Sequence, residues 1–319
     1  MKARTLAAML CLVAGSAWAD PATYAFVLLA QGTSGATVPI VRAVVDAPNA
    51  ACPSISAGKT QYPMQARTNP SPANFPITVC EALMPSAKSL AIGKIALPKV
   101  DTGTTPNRVI VMGDSGCRND SKQSCDAASW PFPAIAKAAA AEKPDLFLHV
   151  GDYNYRGTPG KITVTGQPAP VHVYDAWEAD DEDDPEPIPP APYWSQNMAA
   201  STQPDKWANW RDDFFVPAQP ALNAAPWLFT RGNHELCSRA GVGFFYMLDA
   251  GSPLLGSGAS QISCPNQDGP NPLVIRQTFT VTMGKLGLAS IDTANADDSG
   301  VSYPDDYKQR VAAAVAGLA

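Results

Sequence analysis

Apolar residues in this chain come in short runs that stop abruptly at a glycine followed by an acid or an amide. From Pro144 the sequence reads Pro-Asp-Leu-Phe-Leu-His-Val-Gly-Asp-Tyr-Asn-Tyr, and residues 146 to 150 are almost wholly apolar. So short and sharply bounded a run predicts a strand, and its apolarity predicts that both faces are covered. Two segments repeat the pattern: Arg108-Val-Ile-Val-Met-Gly-Asp-Ser-Gly and Trp227-Leu-Phe-Thr-Arg-Gly-Asn-His-Glu. Each strand therefore ends beside an oxygen-bearing side chain: Asp114, Asp152 and Asn233. Between the first two strands, the alanine-rich stretch from Phe132 to Glu142 predicts a helix that Pro144 closes. Strand, helix, strand is the pattern of a parallel pair.

The remaining pattern fills in on either side. Upstream, β-like runs at Tyr24 to Leu29, Val38 to Val45, Pro76 to Glu81 and Leu90 to Leu97 are punctuated by glycine, proline, serine and asparagine, which predicts a small all-β unit. Downstream, Trp207, Trp210, Phe214 and Phe215 fall at helical spacing and predict a core stripe. Pro272 to Met283 and Leu286 to Ile291 read as two adjacent strands, and Tyr307 to Leu318 as a helix. Ala240 to Asp249 shows no clear period. The stretch holding Glu178, Asp180, Asp181, Glu182, Asp183, Asp184 and Glu186 reads as a solvated excursion, because like charges repel and cannot build a core. It lacks the glycine-turn spacing of an EF-hand loop.

Length and composition then set the organisation. At 319 residues and 45% hydrophobic the chain can bury a substantial core, and its length suggests two domains. Residues 1–19 carry Lys2, Arg4, an apolar run from Leu6 to Ala14 and Ala17-Trp18-Ala19, the marks of a secretory leader with a small-residue cleavage site. Leu10 before Cys11 is too large for lipid attachment, and no later run is long enough to span a membrane. The chain is thus expected to be secreted or periplasmic, with a β-rich domain at 20–105 and an α/β domain at 106–319 that carries the three strand-end oxygen donors. The formal charge is −6, and losing Lys2 and Arg4 with the leader makes it more acidic, so no basic patch invites nucleic acid. Cys52, Cys80, Cys117, Cys125, Cys237 and Cys264 remain, an even number that suggests three disulfides in an exported chain. Sequence proximity favours Cys52–Cys80, Cys117–Cys125 and Cys237–Cys264 among fifteen possible pairings. No pair has the Cys-x-x-Cys spacing of a zinc cluster.

Carboxylate and amide oxygens at strand ends suit hard or borderline cations, and glycine lets the backbone turn tightly beside an ion. A carboxylate can bridge two ions, and Asp152, on the middle segment, is the expected bridge. Two ions roughly 3.5 to 4 Å apart clamp the attacking and leaving oxygens of a phosphoryl displacement. Asp114-x-Gly116, Gly151-Asp152-x-x-Tyr155 and Gly232-Asn233-His234-Glu235, in this order, resemble the first three motif blocks of the calcineurin-like metallophosphoesterases. The tyrosine makes them most similar to the purple acid phosphatase branch. The resemblance implies an αββα-sandwich catalytic domain of the α/β class, and a preceding β domain is also found in that branch. It further implies a centre of two metal ions, iron with iron, zinc or manganese, with Asp114 and Tyr155 on one ion, Asn233 on the other and Asp152 on both. His234 would be catalytic, stabilising the transferring phosphoryl group or protonating the leaving oxygen. The implied reaction is hydrolysis of a small phosphate ester by metal-bound hydroxide, with no covalent enzyme intermediate. The motif blocks do not separate monoester from diester, nucleotide or phytate, and they carry no sign of oligomeric state.

Rival chemistries are set aside on the histidines. Gly113-Asp114-Ser115-Gly116 also resembles the string around a protease or esterase serine. The first histidine is His149, too late for a chymotrypsin-like order, and none follows His234 as a lipase-like order requires. His149 reads as a core histidine, and His172 has no readable role. The resembling family supplies three further imidazoles from Val-x-x-His and Gly-His-x-His blocks after Asn233, and this sequence has no counterpart of them. The expectation is accordingly a C-terminally incomplete catalytic domain, a piece of a longer enzyme with little activity as given. The alternative is a truncated or degenerate non-catalytic exported protein on a phosphatase scaffold. Asp292, at a strand end, reads as a cap or turn carboxylate rather than a ligand. Bridges at Cys117 and Cys237 are expected to brace the loops carrying Asp114 and His234.

Overall fold

The computed structural model describes residues 23–118, 124–126, 128–156, 205–237, 239–256, 261–264, 274, 276–294 and 304–318. The leader, the acidic stretch and His172 lie outside the described residues. Thirteen strands are described, and seven of them make one mixed sheet in the order β5-β6-β2-β1-β11-β10-β9. Its parallel half is β1 (Thr23–Gln31), β11 (Trp227–Phe229), β10 (Leu146–His149) and β9 (Val109–Met112). Its antiparallel half adds β2 (Thr37–Val45), β6 (Thr78–Leu83) and β5 (Gln65–Ala66). The parallel pairing read from strand, helix, strand is therefore present, with β9 and β10 in register from Val109↔Leu146 to Met112↔His149. The helix between them spans Phe132–Ala141.

β1 is the hinge of the architecture. Tyr24, Phe26 and Leu28 pack into a large aromatic core, while Ala25 and Val27 pack into a second cluster on the opposite face. A strand buried on both faces must be central, which is why its sequence is an unbroken apolar run. β1 pairs with β11 on one side and β2 on the other, so the sheet runs straight across the boundary expected at 105. The N-terminal stretch is β-rich, as its punctuation suggested, and part of it is built into the same seven-stranded sheet as β9, β10 and β11.

The two faces have different covers. On one, the aromatic core packs Phe147, Trp227 and Phe229 against the helical run Trp207–Leu222, with Phe147 and Trp227 stacked at 4.3 Å between ring centroids. Trp207, Trp210, Phe214 and Phe215 are all buried there, as the stripe predicted. The run widens to a π-turn over Arg211–Phe215, where Val216 N–H reaches back to Arg211 C=O. Pro217 follows at once and has no N–H to give to Asp213, which removes the bond a regular α-turn would need there. On the other face, a small sheet covers the antiparallel half: β4 (Thr60–Pro63), β3 (Ser54–Ala57), β7 (Ala91–Ile92) and β8 (Ile95–Ala96). The single run expected at Leu90 to Leu97 is thus a hairpin, because Gly93 at φ 56 turns it between Ile92 and Ile95. Val111 and Val150 stay 60% and 56% exposed, so the run at 146 to 150 is covered on both faces only in part.

Two buried arginines lock the sheet to the segment that follows the site. Arg42 on β2 and Arg67 both meet Glu81 on β6, at 2.9 and 2.7 Å; Arg42 Nη1 also bonds to the carbonyls of Met247 and Asp249, and Arg67 to those of Phe245, Tyr246 and Gly251. The carbonyls of Phe245, Tyr246 and Met247 lie in the last turn of the helix Gly241–Met247, which has no intrahelical partners for them, and the other two follow it. Ala240 to Asp249 is apolar almost all round because this helix is wholly buried, which hides its period. At the C-terminal side, β12 (Phe279–Met283) and β13 (Leu286–Ser290) form a hairpin under the helix Pro304–Leu318. Among the described residues, no helix is long and apolar enough to cross a membrane.

Candidate metal centre

β9, β10 and β11 run in parallel, so their carboxyl ends emerge at one edge of the sheet. The backbone there is stitched loop to loop: Asp114 N–H donates to Gly151 C=O at 3.0 Å, Gly116 N–H to Asp152 C=O at 3.4 Å, and Thr230 N–H to His149 C=O at 2.9 Å. Among the described residues, two of the four non-glycine residues with positive φ are Asp114 (51°) and Asp152 (62°). Left-handed backbone costs an aspartate about 1 kcal/mol or more, and such strain gathers where a side chain must be aimed. Glycine makes the approach possible. A Cβ on Gly232 would lie 1.9 Å from Asp152 Oδ1, and one on Gly151, at φ 119, would lie 2.5 Å from Gly232 N.

The five residues singled out in the sequence come together. The Tyr155 hydroxyl donates to Asp114 Oδ1 and lies 3.1 Å from Asp152 Oδ2. His234 N–H donates to Asp152 Oδ1 at 3.2 Å, and the His234 ring packs on the Tyr155 ring with centroids 4.0 Å apart. The end of the Asn233 side chain is 3.2 and 3.3 Å from the two Asp152 oxygens. With its nitrogen turned inward Asn233 donates to both, whereas with its oxygen inward it adds an oxygen that a cation between it and Asp152 would hold. Four oxygen-bearing groups linked in a chain, Asp114 to Tyr155, Tyr155 to Asp152 and Asp152 to Asn233, fit a hard or borderline ion. Among the described residues, no group of three His, Cys, Asp or Glu side chains forms a metal site on its own, so the donor set depends on Tyr155 and Asn233.

Burial shifts the proton affinities of these groups. Tyr155 is raised far above an ordinary phenol, first by burial and then by the charge of Asp152, so without an ion it keeps its proton. Burial holds the His234 imidazole below its ordinary value, against the pull of Asp152 and of the Asn154 carbonyl it bonds to.

Sequence reasoning gave Glu235 no role, and the structure gives it the central one in shaping the site. Its carboxylate is fully buried and accepts four backbone N–H groups: Tyr153 at 2.8 Å, Asp152 at 2.9 Å, Gly232 at 3.0 Å and Asn154 at 3.3 Å. One side chain thereby ties the loop of Asp152 to the loop of Asn233. Burial and the Asp152 charge push its carboxyl up, to about 8, while the N–H donors pull it back. Behind it, Arg231 pairs with Asp292 at 2.7 Å and bonds to the carbonyls of Glu235 and Val274. Asp292 also accepts from Arg276 N–H and Ala294 N–H, so it is a turn carboxylate, as expected, and a loop anchor besides. The Arg156 guanidinium forks onto Asp213 at 2.7 Å twice, fixing the exit from Tyr155 to the π-turn.

His149 is fully buried, stacked on Tyr153 at 3.9 Å. Gly151 N–H donates to its Nδ1 at 3.3 Å, so Nε2 carries the proton and donates to Ser115 Oγ at 2.9 Å. A ring nitrogen that donates to a serine cannot take that serine's proton, which removes the nucleophilic reading of Ser115. Burial lowers the His149 value to about 3 from its ordinary 6.5. The unfolded chain therefore takes up this proton first, and the stability it confers, complete above pH 6.5, is lost as pH falls toward 3. Between those limits wild type should lose about 1.4 kcal/mol per pH unit more than His149→Phe in denaturant titrations. Asp205, raised by burial to about 7, acts in the opposite sense from pH 3.8 to 7, and the paired comparison removes it.

The cysteines pair as sequence proximity favoured: Cys52–Cys80, Cys117–Cys125 and Cys237–Cys264. The second begins three residues after Asp114 and the third three after His234, so both hold loops of the site.

Residues 107–266 match the model of the calcineurin-like phosphoesterase family, a span that holds all three motif blocks. No curated protein matches. A solved structure described as that of PhoD is similar over 86% of this chain at 14% identity, with a TM-score of 0.42. The chain spans about half the length of that structure, 52% of it being covered.

Proposed function

We propose a function that proceeds from one premise: the chain belongs to the calcineurin-like phosphoesterase family. On that footing it is a metal-dependent phosphoesterase acting on small phosphate esters. The observation that carries the reading is the convergence of Asp114, Asp152, Tyr155 and Asn233 at one sheet edge, with both aspartates in left-handed backbone. Asp114, Tyr155 and Asp152 would hold one ion, and Asp152 with Asn233 a second. When bound, such ions acidify a coordinated water and neutralise charge on the phosphoryl oxygens. His234, held by the Asn154 carbonyl and packed on Tyr155, would present its other ring nitrogen to the phosphoryl group or the leaving oxygen. Glu235 and Arg231 would keep the two loops in register.

Tyr155 as a ligand favours the purple acid phosphatase branch and iron in its site, paired with iron, zinc or manganese. Tyrosinate on ferric iron absorbs visible light, so an iron-loaded protein should be coloured and Tyr155→Phe colourless. Three disulfides suit an oxidising compartment, and with the leader-like residues 1–19 they support a secreted or periplasmic protein.

A second reading, a non-catalytic scaffold, is favoured by one observation: the sequence has three histidines, and none stands where the family's further imidazoles would. The residues present would then bind ions through oxygen alone, and turnover would be slow. Assay of the purified 319-residue chain with an activated aryl phosphate and added iron, zinc or manganese separates the two. Slow, chelator-sensitive hydrolysis supports the enzyme. Metal binding with no chelator-sensitive hydrolysis supports the scaffold.

A further inference from the structure

Both aspartates of the candidate centre sit in left-handed backbone, and one ring is bonded to a neighbour of each. His149 Nε2–H donates at 2.9 Å to the hydroxyl of Ser115, the residue after Asp114, and His149 Nδ1 accepts at 3.3 Å from the N–H of Gly151, the residue before Asp152. Ser115 is held a second time, by Trp130 Nε1–H donating to its carbonyl at 2.9 Å, and the Gly151 carbonyl accepts from Asp114 N–H at 3.0 Å. The His149 ring has little freedom of its own. It ends β10, the middle strand of β9, β10 and β11, and is fully buried. One side lies on Tyr153, whose hydroxyl donates to the Thr230 carbonyl at 2.8 Å, and Phe214 meets the ring edge-on at 5.7 Å. Strained backbone persists only where its surroundings over-determine it, and here one side chain reaches the flank of both strained residues.

We propose that His149 is a positioning residue of the metal centre, fixing the spacing of Asp114 and Asp152 by joining Ser115 to Gly151. The proposal rests on the reading of this sheet edge as a metal centre. An ion shared by two carboxylates is bound more tightly when both already stand at its span, because an aspartate that relaxes toward ordinary backbone has to be brought back as the ion arrives. His149 acts on the ion only through these two neighbours, in the way that partners of ligands set the geometry of a site. A histidine kept for packing alone needs neither bond, since a phenyl ring would fill the same place on Tyr153.

Calorimetric titration of the full chain with manganous ion, beside the thermal midpoint without metal, tests this without turnover. Ser115→Ala, which deletes one oxygen atom, should weaken the tighter manganous site by about tenfold. His149→Phe keeps a flat ring on Tyr153 and loses both bonds, and should weaken that site by about 10- to 100-fold. His149→Gln, whose amide nitrogen can stand in for Nε2 opposite Ser115, should recover part of the affinity. The Ser115→Ala/His149→Phe double variant should bind no more weakly than His149→Phe, because the two changes remove one shared bond. A role in packing alone would lower the midpoint of His149→Phe and leave the affinity of the folded chain unchanged in every variant. That result overturns the proposal, as do losses that multiply in the double variant. If His149→Phe does not fold, Ser115→Ala decides, and its unchanged affinity overturns the proposal. A wild type that binds no manganous ion removes the proposal together with the metal-centre reading. His149-dependent binding by a chain that hydrolyses no ester leaves the assignment standing and removes the hydrolase reading.

Discussion

Glu235→Ala is expected to lose about 3–5 kcal/mol of folding stability, the largest effect of any single change at the site. The carboxylate accepts four backbone N–H groups from Asp152, Tyr153, Asn154 and Gly232, and alanine leaves all four without a partner in a place water does not reach. Each buried donor left unmade carries a penalty of about 1–3 kcal/mol, partly relieved as the loops shift. At roughly 2–4 °C per kcal/mol for a chain of this size, the thermal midpoint should fall by roughly 6–20 °C. Glu235→Gln keeps one acceptor oxygen and turns an NH₂ toward N–H groups, so it should recover less than half of the loss. A change below about 1 kcal/mol in Glu235→Ala, read by denaturant titration, would show that the loops hold themselves.

Asp152→Gly should separate binding from stability. Glycine relieves a backbone held at φ 62 and removes acceptors used by Tyr155 and by His234 N–H, so the two effects offset and stability should move by less than about 1 kcal/mol. Ion affinity should fall by more than about 100-fold, since even partners of ligands are worth roughly 10- to 100-fold. Retained affinity at unchanged stability would mean that the aspartate is held in left-handed backbone for some other reason.

How much of this was legible in the sequence depends on the element. Strand, glycine and oxygen donor could be read three times because a covered parallel strand must be apolar and must turn sharply at its end, and the structure brings Asp114, Asp152, Tyr155, Asn233 and His234 to one place. Pairing of β1 with β11 could not be read, since nearly 200 residues separate Leu28 from Trp227 and no local signal marks a parallel partner. The clue was the composition of β1 itself, seven consecutive buried residues where a half-exposed strand would alternate. Glu235 was quoted as part of a motif without a role, because a carboxylate whose partners are all backbone N–H groups leaves no trace in their side chains. Nothing local in the sequence sets Arg42, Arg67 and Glu81 apart from ordinary strand and loop charges, and only the fold shows that they close a helix end. The helix Gly241–Met247 escaped because a segment buried on every side has no polar face to give it a period.

The most direct test of the central claim is the metal content of the chain itself after equilibrium dialysis against manganous, zinc or ferric ion, read by elemental analysis beside an Asp114→Asn/Asp152→Asn double variant. Asparagine tolerates the left-handed backbone of both positions, so the variant should keep the wild-type thermal midpoint in the absence of metal. Saturable binding by wild type that the double variant lacks is the predicted result. Equal binding by both, or none by wild type, would contradict the assignment of this sheet edge as a metal centre.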